Sequence, residues 1–307
     1  MTDIQPAGAE ATGAAQFEAT SADMVAASRP LRVDVWRRFK ENRLALFGLA
    51  FVLLLVLMAV FADVIAPYGF AERTRGAYRQ PPSSNHWFGT DTVGRDVFSR
   101  VVYGARVSLR IAVSATAISL LIGLLLGAVA GFFGGLLETL IMRLTDVFLS
   151  IPYIVLAVAI ASVLARSENT VIVVLGLTGW LGVCRIVRAS FLQLKRQEYV
   201  EAATALGYSR SRIMFRHMLP NALQPIIVYG TVTIGTVILA EAALSFLGVG
   251  PRSPTPAWGL MVNEAGAGSL ASAPHMLFFP GLAIFFTVLA FVFIGDGLRD
   301  ALDPKLK

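Results

Sequence analysis

The sequence predicts an all-α integral membrane protein that crosses the bilayer six times. Three observations lead there. Of its 307 residues, 56% are hydrophobic and only 15% charged, where a soluble domain averages roughly 25% charged. The mean hydropathy is +0.68. The apolar residues are also gathered into uncharged runs, several of them close to the ~20 residues that a helix rising ~1.5 Å per residue needs to cross hydrocarbon.

Residues 1–28 are rich in Ala, Thr, Ser, Gly and Glu and lack an apolar face, so a disordered tail is expected. They do not read as a signal peptide, because the basic cluster and the apolar run come only later. Arg29 to Arg43 holds six basic residues with Trp36 and Phe39 interleaved, the pattern of an amphipathic segment on an anionic membrane face. With the first span, Leu44 to Ala62, it makes a unit covering 29–66. Residues 67–100 are polar and turn-rich, with Pro81, Pro82, Gly89 and Gly94. The run Trp87 to Asp96 reads either as a folded loop with its own structure or as part of a binding surface.

The second span covers Ile111 to Leu137. Gly123, Gly127, Gly131 and Gly135 recur along it every four residues. Small residues at that spacing let helix backbones approach closely in lipid. They suit packing within the chain or against a second membrane subunit, and the pattern does not separate the two. The third span, Val147 to Ala165, carries Pro152 near its start, which predicts a kink or a carbonyl released into a cavity. The fourth, Thr170 to Cys184, is short, and Arg185 and Arg188 are expected to complete it by snorkelling. Cys184 is the chain's single cysteine and reads as a packing residue.

Between spans four and five lies a wet segment, Arg185 to Pro220, with seven basic residues and two glutamates. It reads as helix, turn, helix. Glu198 to Leu206 has no breaker. Gly207 supplies the positive φ that ends a helix. Ser209 is placed to cap a second short helix, and Pro220 suits the first turn of span five. Glu201 beside Ala202 and Ala203 offers a charge next to an almost bare backbone. That fits a docking site for another protein, or simply a solvated, orienting loop. Span five runs from Pro220 to Ala240. Glu241 follows, costly unless paired or wet, and reads as part of a pathway or gate, or as an interfacial group. Residues 248–275 form a second polar loop containing Trp258, and Met276 to Gly295 is the sixth span.

Basic residues orient the chain. Seventeen of the 26 fall on the side of both termini and of the 185–220 segment, so that side is expected to be cytoplasmic. The same distribution explains the net charge of +6 without nucleic acid. The chain has no G-x-x-x-x-G-K-[ST] loop for ATP. His86, His217 and His275 are far apart in sequence, a weak basis for a metal site. Clustered Asp, Glu, His or Ser at membrane depth, which an embedded enzyme or an acid-driven carrier needs, are missing from the spans. A lone secondary carrier would need no docking loop.

Glu201-Ala202-Ala203, then Gly207, then His217-x-Leu219-Pro220 resembles the cytoplasmic E-A-A loop of ABC importer permeases. The broad pattern often has an apolar residue where His217 stands, and histidine there is familiar in the peptide-uptake branch. The run Trp87 to Arg110, the run Ala240 to Gly248 and the ending Gly295 to Pro304 resemble the same class, the C-type permease of dipeptide/oligopeptide importers, which also includes nickel and glutathione systems. The resemblance implies a type I ABC importer permease fold, with a core over 101–298, a cytoplasmic tail over 299–307 and a coupling helix between spans four and five. It implies that Glu198, Tyr199, Glu201, Ala202, Ala203, Leu206, Gly207, His217 and Pro220 face an ATPase. Asp91, Arg95, Asp96 and Trp258 would meet an external binding protein, Gly123, Gly127 and Gly131 would pack subunits, and Glu241 would gate. The implied partners are a second permease, two ATP-binding subunits, the binding protein and a peptide substrate, in a bacterial cytoplasmic membrane. ATP and Mg would sit in the partners, with no cofactor and no metal on this non-enzymatic chain.

Overall fold

The computed structural model describes residues 31–266 and 269–302. The expected disordered tail at 1–28 and the last residues of the 299–307 tail lie outside them. Helices dominate in chain order. They are α1 (Leu31–Glu41), α2 (Arg43–Val60), α3 (Ala62–Ile65), α4 (Val97–Phe133), α5 (Gly135–Leu149) and α6 (Tyr153–Ser162). Then come α7 (Glu168–Leu194), α8 (Glu198–Ala205), α9 (Arg210–Phe246), α10 (Trp258–Ala265), α11 (Ser269–Ser272) and α12 (His275–Leu302).

Five helices (α2, α4, α7, α9 and α12) are long and apolar enough to cross a membrane, and the pair α5 and α6 makes a sixth crossing bent by 84°. The packing of α4 against α7 requires that sixth crossing. Arg110 of α4 lies 3.5 Å from Glu168 at the start of α7. Further along, Gly123 faces Trp180 and Val183, and Gly131 faces Arg188 and Phe191. The two helices therefore run parallel, and the chain between them must return through the full thickness. The third span, expected over Val147 to Ala165 with a kink at Pro152, is a broken span that bends there and begins already at Gly135. Its break at Ser150–Pro152 follows from Pro152, which has no N–H to continue the ladder. The Ile151 N–H closes a tighter turn onto the Phe148 carbonyl at 3.3 Å instead.

The other pairs alternate. Leu120 of α4 meets Gly230 of α9, and Ser108 meets Glu241, so these helices are antiparallel. Gly295 of α12 meets Val232, and Gly235 meets Val288, again antiparallel. Gly48 of α2 meets Ala290 of α12, and Ala45 meets Gly297. Leu31, the α4–α5 turn, α8 and Leu302 consequently share one end of the bundle. The loops 66–96, 163–167, 247–266 and 269–274 share the other. Within its most apolar stretch α7 is 61% buried, whereas α2 and α12 are 22% and 28% buried. So α7 is the central helix, and α2 and α12 leave broad apolar faces for lipid.

Several spans are longer than the sequence suggested. Span two begins at Val97, and its glycine row stops at Gly131, because Gly134 and Gly135 have φ of +70° and +59° and open α5. Span four runs on to Leu194. Arg185 and Arg188 pair with Asp146 and Glu138 of α5. The expected short helix after Ser209 is instead the start of α9.

Candidate coupling segment and the loop cluster at the opposite end

At the first end, α8 projects as an eight-residue helix between two membrane rods. Glu198 and Glu201 occupy its first turn, where carboxylates complement the helix dipole. Its end is a Schellman turn: Tyr208 N–H donates to the Ala203 carbonyl at 3.1 Å and Gly207 N–H to the Thr204 carbonyl at 3.0 Å. Gly207 takes φ +75° to allow it. Ser209 then caps α9, its hydroxyl accepting from Arg212 N–H at 3.4 Å. Inside α9, Ile213–Met218 widens into a π turn. That wider turn lies just ahead of Pro220, which lacks an N–H, and the helix carries on through it and through Pro225 as one rod.

The expected contact residues divide between two faces. Glu198, Tyr199, Glu201, Ala202, Leu206, Gly207 and Pro220 are exposed, Leu206 at 73%. Ala203 is not. It is buried with Val200 against Phe191, Ile213, Met218 and Ala222. Only one alanine of the pair is bare, because adjacent helical residues point about 100° apart. His217 is half-buried and stacks on Tyr208, with ring centroids 5.8 Å apart. The Arg212 guanidinium lies 4.5 Å over the other partner ring, Tyr208. His217 thus braces the elbow from inside. Its Nε2 is shielded from solvent without a hydrogen-bond partner among the described residues.

At the opposite end the two polar loops are tied together by buried charge. Arg95 Nε donates to Asp91 at 2.5 Å, its Nη1 to the Ser253 hydroxyl at 2.9 Å and its Nη2 to Glu264 at 2.8 Å. Arg100 Nη2 donates to the same Glu264 oxygen at 2.7 Å and lies 3.4 Å from Asp91. Two guanidiniums and two carboxylates balance. Asp96 caps α4 through Ser99 N–H at 2.7 Å and holds His86 Nδ1 at 2.9 Å. Trp258 is fully buried, its indole N–H donating to the Val101 carbonyl at 3.0 Å. Gly104 leaves the room, since a Cβ there would meet the indole at 2.6 Å.

This corrects the expectation that Asp91, Arg95, Asp96 and Trp258 meet a binding protein. All four residues are at most 4% exposed, and they hold the loops to each other. The run Trp87 to Asp96 is a folded loop. Glu241, 1% exposed, accepts from Ser245 at 2.7 Å and from Ser108 at 3.5 Å. Ser108 also accepts the Trp258 N–H. The carboxyl therefore belongs to the same packed cap. Gly123, Gly127 and Gly131 are covered by α7 of this chain, not left for another subunit: a Cβ on any of them would lie within 2.9 Å of an α7 backbone carbonyl. Glu264 carried no local sequence signal, and for Arg100 and Ser108, which lie in the Trp87 to Arg110 run, only the fold reveals that they stand beside Glu264 and Glu241. His86 and His275 sit in the same cap but bond to Asp96 and to the Thr90 carbonyl. Among the described residues no group of metal-ligating side chains forms.

Comparison with known proteins follows the same division. Residues 123–307 match the family of binding-protein-dependent transport system inner membrane components. Residues 31–82 match the N-terminal TM domain of oligopeptide transport permease C. The oligopeptide transport system permease protein OppC of Bacillus subtilis is 41% identical over 274 residues, covering 89% of this chain and 90% of that one. The glutathione transport system permease protein GsiD of Escherichia coli is 46% identical over 276 residues, with the same coverages. An inward-facing structure of the MetNI methionine ABC transporter superposes with a TM-score of 0.58 at 20% identity, covering 67% of this chain and 98% of that chain. It supports the fold. The chain therefore belongs to the binding-protein-dependent transport system inner membrane components, as a C-type permease subunit of the ABC importer class.

Proposed function

We propose that this permease forms one half of a pore that admits di- and oligopeptides across a bacterial cytoplasmic membrane. A second, homologous permease supplies the other half. Two separate subunits hydrolyse ATP with Mg, and an external binding protein delivers the peptide. The end carrying Leu31, Leu302 and α8 is cytoplasmic. By sequence, seventeen of the 26 basic residues are assigned to that side. Much of the contrary charge at the other end is spent on local acids: Arg95 and Arg100 on Asp91 and Glu264, Arg106 on Asp63, Arg110 on Glu168.

One observation carries the coupling role. Glu201, Ala202 and Leu206 are exposed on a helix whose other face is anchored by Val200 and Ala203 into α7 and α9. A partner seated on that face pushes two membrane rods directly. Closure of the ATPases would thus turn α7 and α9 and alternate access to the pore. The binding protein would dock on the rims of loops 67–100 and 248–275. There Arg166 and Arg252 are exposed around a groove of about 360 Å³, with the Arg110–Glu168 pair on its wall, and suit an acidic surface.

Glu201→Arg tests the coupling role. Uptake should be lost while the ATPases still co-purify and the binding protein still binds. Uptake near the parent rate with a complete assembly overturns it. A second reading, glutathione, is favoured by the 46% identical relative. Competition between a tripeptide, longer peptides and glutathione for uptake by the reconstituted importer separates the two.

A further inference from the structure

The break in the sixth crossing opens on a cavity of about 480 Å³ between α6, α7 and α9. It lies at mid-depth: Thr178, on its wall, is ten residues along α7 from Glu168, or ~15 Å at helical rise. Five hydroxyl-bearing side chains line it, Tyr153 from α6, Thr178 from α7, and Tyr229, Thr233 and Thr236 from α9. No charged side chain is among the lining residues. Tyr153 sits beside Thr178, and the Tyr229 hydroxyl fills the space a Cβ on Gly182 would need.

Interrupted backbone at membrane depth is tolerated only when buried in protein or facing water. Here Ser150, Ile151 and Pro152 are all exposed on the surface of the chain, as is Thr236. Lipid is a poor neighbour for that combination. α2 and α12, by contrast, present plain apolar faces.

Resting on the reading above, we propose that this cavity is the chain's half of the translocation path, and that its hydroxyls hold the backbone of an extended peptide in transit. The Thr178, Thr233 and Thr236 hydroxyls already donate to their own helix carbonyls at 2.7–2.8 Å. What the exposed Thr236 and half-buried Thr233 offer a passing solute is lone-pair acceptance for amide N–H groups, which every peptide has, with buried Thr178 behind them. A fixed charge would favour one class of side chain and hold it, whereas passage requires that binding stay weak enough to release. The uncharged wall therefore fits a solute defined by its backbone and varied in its side chains. Tyr229, Thr233 and Thr236 ride on the same rod as the Arg212–Tyr208–His217 elbow, so movement at α8 reaches the wall without an intervening joint.

Thiol labelling of the whole reconstituted importer tests this. Thr236→Cys and Leu54→Cys, the latter on the lipid face of α2, are treated with the impermeant cationic reagent MTSET. Labelling is read by peptide mass, with buried Cys184 as an internal zero. Thr236→Cys should react about tenfold faster or more, because a fixed charge enters lipid reluctantly. Once labelled, it should lose peptide uptake while ATP hydrolysis persists. Equal, slow labelling of both sites overturns the proposal, as does fast labelling with unchanged uptake. Uptake by the parent complex is measured separately. Failure there sinks the peptide assignment, while the labelling rates still report whether the wall is wet.

Discussion

Arg100 and Glu264 stand 164 positions apart, yet their side chains share a hydrogen bond of 2.7 Å under the loops. Arg95 donates to the same carboxylate oxygen. Both arginines are at most 3% exposed, and Glu264 17%. Glu264→Gln keeps the shape and removes the charge that two buried guanidiniums share. Removing one partner of a buried pair costs about 3–5 kcal/mol. The variant should lose several degrees of thermal stability in detergent. The Arg106–Asp63 pair supplies the contrast. Hydrogen bonds from Arg106, then from Tyr103, hold the Asp63 carboxyl below its ordinary value. Its contribution is therefore present at neutral pH and fades only as pH falls through that lowered value. Asp63 is exposed, so Asp63→Asn should leave the melting temperature at pH 7 nearly unchanged.

The glycine row of α4 gives a second, independent test. A Cβ at Gly127 would lie 2.6 Å from the Cys184 carbonyl oxygen and from Val187 Cβ. Backbone cannot step aside as a side chain end can, so Gly127→Ala should cost about 1–3 kcal/mol. Gly281 in α12 has nothing within 4 Å of its Cβ position, and Gly281→Ala should be neutral or stabilise by about 0.5–1 kcal/mol. Paired melting curves decide. Equal behaviour of the two variants would mean that α4 and α7 are not packed as described.

Gly207 is a conformational requirement of another kind. Its φ of +75° closes the Schellman turn, and the space around its Cβ is open. Gly207→Val therefore meets no neighbour but forces a β-branched residue into the left-handed region, at about 1–2 kcal/mol. The expected result is normal membrane insertion and assembly, with reduced uptake per ATP hydrolysed. Unaltered coupling would mean that the angle between α8 and α9 is free to vary.

Long apolar runs and the helix–turn over 198–209 were legible in the sequence because each is a local property: hydropathy, a breaker, a cap, a positive φ. Span ends were less so, since α4 and α7 continue through arginines that hydropathy alone reads as boundaries. Arg100, Arg185 and Arg188 are neutralised by Glu264, Asp146 and Glu138, partners that only tertiary structure reveals. The same gap explains the site residues. Asp91, Arg95 and Trp258 have the character of a binding surface and lie in an exposed-looking loop. Whether they face outward or toward one another depends on a second loop about 160 residues away. The glycine row left its partner open for the same reason, and α7 supplies it.

Tyr208 joins Arg212 and His217 at the elbow, one face under a guanidinium at 4.5 Å and the ring stacked on imidazole at 5.8 Å. Such contacts contribute about 0.5–1 kcal/mol for the cation and 0.5–1.5 kcal/mol for the stack. The ring carries both, and the hydroxyl neither. Tyr208→Phe should therefore preserve uptake, whereas Tyr208→Ala should loosen α9 from α8 by about 1–2 kcal/mol in all. A loss of that size corresponds to roughly fivefold to thirtyfold in the closed-to-open ratio of the elbow. Uptake should fall by up to that factor. ATP hydrolysis by the assembled complex should fall less, because the exposed face of α8 is untouched. If Tyr208→Ala transports like the parent, the elbow is held by the Schellman turn alone. If Tyr208→Phe fails as badly as Tyr208→Ala, the hydroxyl contacts something outside this chain.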